Sequence, residues 1–200
     1  MTAGKEVLSS GMREEKERCR QALALAQQGK TVALISSGDP GVYGMAGLVL
    51  EIAYARDMDT PIHIVSGVTS VTAAAASLGA PLMLDFACIS LSDLLVPWEK
   101  IVARLTAAAE ADLVAALYNP RSKKRVSQLQ EAREIFLRSR AGDTPVGVVT
   151  RAGDAGERVE LSDLEHFLEL EIGMSSLVII GNCSTRRLSG WLVTPRGYKV

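Results

Sequence analysis

The chain has 200 residues, of which 48% are hydrophobic and 22% charged, and a formal charge of −1. That composition suits a globular protein with a sizeable core, and the balanced charge argues against a whole-chain nucleic-acid binder. No apolar run nears the roughly 18–20 residues of a membrane span, and the first twenty residues lack a leader's apolar stretch, so a cytoplasmic location is expected.

The three cysteines (Cys19, Cys88, Cys183) are widely spaced and odd in number, which predicts reduced thiols. With only two histidines (His63 and His166), no metal site is advertised and none is expected.

In chain order, acids in the first turn, apolar residues at helical spacing and Gly29 at the end predict a helix over 12–28. A short buried-type strand is expected at 31–36, a helix at about 45–56, a strand at 62–66 and an alanine-rich helix from Thr69. A strand at 86–91 follows, and then Pro97 opens a helix in the N1 position. The remaining expectations are a strand at 112–119, a long helix over 122–140, a strand at 144–151, a short helix from near Ser162 and a last strand at 175–181. Strands alternating with helices predict an α/β fold with a largely parallel or mixed sheet. The connection 92–98 is the expected boundary, giving domains at 1–92 and 97–200.

The unusual residues fall at strand ends, where open α/β sheets bind ligands. "LISSGDPGVYG" (34–44) places three glycines, a proline and one carboxylate after the first strand. Its glycines do not fit the dinucleotide fingerprint, and "GKT" at 29–31 precedes a strand instead of a helix, so neither common phosphate motif applies. Asp39 would repel a phosphate but could accept hydrogen bonds from an amine or hydroxyl, which suits S-adenosylmethionine. "SGVTS", "YNPRSKKR" and "TRAGDAGE" end later strands; each is either a site loop or a plain connector.

"SSGDPGVYGMAGLVLE", "GVTSVTAAAASLGAPL" and "VAALYNPRSKKR" together resemble the tetrapyrrole methylases. "GKEVLSSGMREE", "YNPRSKKR" and "VVTRAGDAGE" are similar to the branch acting on carbon 17 of precorrin-3B or cobalt-factor III. The resemblance implies two α/β domains, a homodimer, and S-adenosylmethionine in the cleft between domains. It implies a methyltransferase of cobalamin biosynthesis that also contracts the ring; activity at carbon 11 or 20, or binding of the cofactor without catalysis, are the alternatives.

By the same resemblance, Gly38, Asp39, Val42 and Tyr43 hold the methionine end and ribose, and Thr69 and Ser70 contact the methionine part. Leu117, Tyr118 and Asn119 surround the adenine, Arg151, Ala152 and Gly153 lie beneath it, and Ser175 and Ser176 close the pocket. Asp39 and Tyr43 are the candidates for an acid or base in ring contraction.

The basic cluster Arg121, Lys123, Lys124 and Arg125 is expected at a helix start, where positive charge is unfavourable without an anion. Arg121 and Lys123 are therefore candidates for the carboxylate arms of a tetrapyrrole; a solvated turn or a dimer contact is the alternative. Arg186 and Arg187 read as a solvated loop or a further carboxylate contact. In the family a strand and a glycine/proline-rich turn come before the segment that opens here at "GKEVLSSGMREE". The first strand of the first sheet is therefore expected to be missing, leaving a neighbouring strand as an edge.

Overall fold

Short apolar runs beyond residue 85 form most of a five-stranded mixed sheet in the computed structural model, which describes residues 4–11, 14–122 and 125–199. The chain divides into two units, residues 1–69 and 70–200.

In the second unit the elements run α3 (Ser70–Leu78), β1 (Gly79–Ala80), β2 (Phe86–Ser90), α4 (Trp98–Glu110), β3 (Val114–Tyr118) and α5 (Ser127–Leu137). They continue with β4 (Pro145–Thr150), β5 (Arg158–Asp163), a 3-10 turn (Phe167–Glu169), β6 (Ser176–Ile180), β7 (Arg186–Leu188) and β8 (Trp191–Val193). The main sheet has the order β2-β3-β6-β4-β5. Only β2 and β3 run parallel; β6 is antiparallel to both β3 and β4, and β5 returns antiparallel on β4. A second, three-stranded sheet has the order β1-β8-β7.

The core follows from sequence period. On α5 the residues Leu129, Ala132, Ile135 and Phe136 recur every three or four positions and are all buried, as is the Ile101–Leu105–Ala108 stripe of α4. These faces pack with Leu117, Val146, Val148, Val178 and Ile180 into one cluster. On the other side of the sheet, Val71, Ala74 and Leu78 of α3 pack with Ala116, Val149, Ile179 and Leu192. Small alanines let that helix approach closely.

Four expectations need correction here. The long helix begins at Ser127, not near 122; ahead of it Ser122 N donates to Arg125 O at 2.9 Å, a bond outside the helical pattern. The helix expected near Ser162 is instead strand β5 with a 3-10 turn after it; the 151–157 loop turns the chain back on β4, pairing Val146 with Ser162. Pro97 is the N-cap of α4 rather than its first residue, with φ −55° and ψ 140°. Arg186 and Arg187 lie on a hairpin, not a loop, with Ser189 and Gly190 turning at φ 47° and 89°.

The first unit contains α1 (Glu15–Gln27) and α2 (Ala46–Ala55). The strands expected at 31–36 and 62–66 are not formed. Among the described residues neither segment makes a backbone–backbone hydrogen bond, and a strand exists only through such a partner. Both segments line an open cavity of about 520 Å³, with Ala22, Leu23 and Ala26 of α1 and Ala46 and Val49 of α2 on its wall. Apolar side chains on the two segments stay open to solvent, Ile35 at 74% and Val65 at 70%.

Candidate cofactor site

In the first unit the glycine-rich loop is organised around one carboxylate. Asp39 Oδ1 accepts from Gly41 N at 2.8 Å and Oδ2 from Gly67 N at 2.9 Å, tying the loop after residue 36 to the loop after residue 66. Hydrogen bonds from the Gly67 amide, and next from that of Gly41, hold the Asp39 carboxyl below its ordinary range. A carboxylate so stabilised is a poor proton acceptor near neutrality. Its first task is to brace two loops.

Gly67 has to be glycine for this, because a Cβ would collide with the carbonyl oxygen of Gly38. Tyr43 takes φ 54° and Gly38 φ 75°, and Val42 and Tyr43 are exposed, so the loop presents backbone and an apolar edge to a ligand. Thr69 Cα lies 3.9 Å from where a Gly38 Cβ would be.

In the second unit the strand directions bring several expected contacts to one edge. The C-terminal ends of β2, β3 and β4 and the N-terminal start of β6 share one edge of the main sheet, with Ser90 opposite Tyr118 and Thr150 opposite Ser176. Tyr118 Oη accepts from Val71 N at 2.9 Å, satisfying one of the unpaired amides that begin α3 just after Ser70. Asn119 follows at φ 51°, and its Nδ2 donates to Ser90 Oγ at 3.0 Å.

Across the edge Arg151 takes φ 57° and its amide donates to Ser175 O at 2.9 Å. Its guanidinium turns to Asp154, with Nη2–Oδ2 at 2.8 Å. That hydrogen bond, with the charge behind it, holds the Asp154 carboxyl below its ordinary range. Gly153, at φ 77°, has no atom within 4 Å of where a Cβ would sit, and its amide donates to Glu157 Oε2 at 2.6 Å. Ala152 is half-buried beside it.

Two of the expected contact residues are buried. Leu117 is fully buried, its side chain packed in the core cluster. Ser176 is also buried; its hydroxyl lies 2.7 Å from Thr150 Oγ1 and accepts from Gly173 N at 3.0 Å. Ser175 stays exposed.

Of the basic cluster, Lys123 and Lys124 lie outside the described residues. Arg121 has a buried Nε with no hydrogen-bond partner among the described residues, as does Arg140. Arg125 is 6% exposed and hydrogen-bonded to protein. The premise of positive charge at a helix start does not hold, since α5 begins two residues after Arg125.

Sequence reasoning missed Ser90, the partner of Asn119. Its position as the last residue of β2 beside a parallel β3 was the available signal. Left-handed backbone was also legible only in part, since Asn119 and the glycines tolerate it readily while Tyr43 and Arg151 do not advertise it.

A second cavity, of about 420 Å³, opens at the opposite edge beside Arg140 and Asn182. There the Arg140 guanidinium donates to the carbonyls of Gly181, Ala108 and Leu113. Its Nε, 3.6 Å from Asp112 Oδ1, is buried without a hydrogen-bond partner among the described residues.

Within the first unit, the ionised Asp39 carboxylate and the exposed apolar Val42 suit the amine or hydroxyls and the apolar part of an adenosyl sulfonium ligand. Among the described residues, no group of three or more His, Cys, Asp or Glu gathers as a metal site, and no helix is long and apolar enough to cross a membrane.

The sequence profile of the Tetrapyrrole (Corrin/Porphyrin) Methylases matches residues 1–168. The chain is 49% identical over 197 residues to the "Probable cobalt-factor III C(17)-methyltransferase" of Salmonella typhimurium, covering 98% of this chain and 82% of that protein. It is 44% identical over 203 residues to the cobalt-factor III methyltransferase of Priestia megaterium, spanning only 38% of that longer protein. The crystal structure of the methyltransferase CobJ matches with a TM-score of 0.89 and 35% identity, over 96% of this chain and 81% of that one. On the profile match and these identities, the chain belongs to the tetrapyrrole methylase family.

Proposed function

We propose that the chain is an S-adenosylmethionine-dependent methyltransferase acting on carbon 17 of cobalt-factor III, or of metal-free precorrin-3B, in cobalamin biosynthesis. One observation carries the cofactor reading. Of six non-glycine residues with positive φ among those described, three (Tyr43, Asn119 and Arg151) fall in loops where the family resemblance puts cofactor contacts. Strained backbone persists where surroundings over-determine it and clusters at ligand sites. The relatives' printed activities support the substrate.

In this reading Gly38, Asp39, Val42, Tyr43 and Thr69 hold the methionine and ribose, and Ser70, Tyr118, Asn119, Arg151, Ala152, Gly153, Ser175 and Ser176 hold the remainder, Leu117 acting through its backbone. Once bound, the sulfonium supplies an already activated methyl group. The protein's work is to align and to exclude water, which explains a site without a catalytic triad. Asp39 keeps the loop in shape and its charge near the bound cation; Arg121 offers its unsatisfied Nε to a substrate carboxylate. A cytoplasmic homodimer with domains divided near residues 93–96 belongs to the same proposal.

A second reading, cofactor binding without turnover, is favoured by the unladdered segments 31–36 and 62–66 and the open cavity beside them. Incubation with methyl-labelled S-adenosylmethionine and cobalt-factor III, then precorrin-3B, separates the two. Label in a ring-contracted tetrapyrrole supports methyl transfer; bound cofactor with no labelled product supports the second reading.

A further inference from the structure

Arg125 sits in a run of basic residues, yet it is 6% exposed and its guanidinium reaches two neighbouring loops. Its Nε donates to Asn119 O at 3.1 Å, Nη1 lies 3.5 Å from Ser92 Oγ, and the guanidinium is 4.0 Å from Asp93. Its own amide donates to Ser122 Oγ at 3.1 Å. One guanidinium therefore joins the loop after β2 to the loop after β3.

What it holds is a costly conformation. Asn119 stands at φ 51° and directly precedes Pro120, whose ring restricts the residue before it. Asparagine tolerates left-handed backbone better than most residues, but the state still needs support. Two bonds supply it: Asn119 Nδ2 to Ser90 Oγ on the side-chain side, and Arg125 Nε to Asn119 O on the main-chain side. The same backbone carries Tyr118, whose hydroxyl accepts from the first turn of α3.

We propose that Arg125 is a positioning residue for the cofactor pocket: it fixes the Tyr118–Asn119 turn from behind and does not touch the tetrapyrrole. This rests on the cofactor reading above. Arg121 and Arg125, four residues apart in one basic run, thus have separate tasks, one facing a ligand and one facing the fold.

The test uses the full chain. S-adenosylhomocysteine affinity is measured by calorimetry for the native protein, Arg125→Gln, Arg125→Lys and Ser90→Ala, with KM for S-adenosylmethionine and for cobalt-factor III alongside. Losing a charge-assisted bond to a main-chain carbonyl predicts about tenfold weaker S-adenosylhomocysteine binding in Arg125→Gln. KM for S-adenosylmethionine should rise with it while KM for the tetrapyrrole holds, and Arg125→Lys, which keeps a donor, should recover most of the loss.

Ser90→Ala removes the other support of Asn119 and should weaken binding in the same direction, so the proposal stays testable if Arg125→Gln does not fold. A folded Arg125→Gln with native S-adenosylhomocysteine affinity overturns the positioning role and leaves the cofactor site standing. So does a rise confined to the tetrapyrrole KM, which would make Arg125 a substrate contact. No binding by the native chain overturns the cofactor reading and this role with it.

Discussion

The two units solve the same sequence problem with different success. In residues 70–200 each main-sheet strand has its ladder, and Val146, Val148, Val178 and Ile180 are fully buried. In residues 1–69 comparable runs, "VALI" and "IHIV", have no ladder among the described residues and line an open cavity. Apolar, β-branched composition is a statement about what a segment can bury. It becomes a strand only when a neighbour offers hydrogen bonds at strand spacing. What the first unit does possess is a braced loop, in which one carboxylate gathers two glycine amides.

Hydrogen exchange should draw the contrast most sharply. Amides of β3, β4 and β6 open only with the whole unit, whereas those at 31–36 and 62–66 lack protecting partners, so rates should differ by roughly a thousandfold or more. Equal protection would mean that the first-unit segments are paired in solution. Stability measurements give the next largest effect. Ile179→Ala empties a fully buried position and should cost about 2–5 kcal/mol by denaturant unfolding. Ile35→Ala, at 74% exposure, should stay within about 0.5 kcal/mol. Comparable losses would erase the distinction.

Gly67→Ala sharpens the comparison from within the first unit. The added methyl meets the Gly38 carbonyl, and overpacking of this kind costs about 1–3 kcal/mol. Because the collision is at the loop, S-adenosylhomocysteine affinity should fall while exchange in β3, β4 and β6 stays slow.

The smallest effect is in pH. Asp39 has a folded value depressed below its unfolded one, so its contribution is present above the ordinary carboxylate range and is lost as pH falls through the depressed value. Cofactor affinity should therefore hold on mild acidification and drop only at lower pH; Asp39→Asn should remove that drop. A native profile that already falls near pH 6 would point to another group.

Much of the architecture was legible, and the misses share a physical cause. Helices α1, α2, α4 and most of α5 follow from apolar period and from Gly29 and Pro97 near their ends. The hairpin of β4 and β5 was obscured because "LSDLEHFLEL" carries a helical pattern locally, and only tertiary pairing with β4 decides for strand. The Ser189–Gly190 turn between "RRL" and "WLV" is a hairpin signal readable in the sequence.

At the site, glycine placement and Asp39 were visible in the sequence. The burial of Leu117 and Arg125 was not, because charge and hydrophobicity along a chain do not say which side of a sheet edge a residue faces.

The most direct test of the account is calorimetric titration of the 200-residue chain with S-adenosylhomocysteine, native and Asp39→Ala. The account predicts micromolar binding by the native chain that is weakened at least tenfold in the variant, since two loop amides lose their common acceptor. A folded native chain that does not bind, or a variant that binds as tightly, would contradict it.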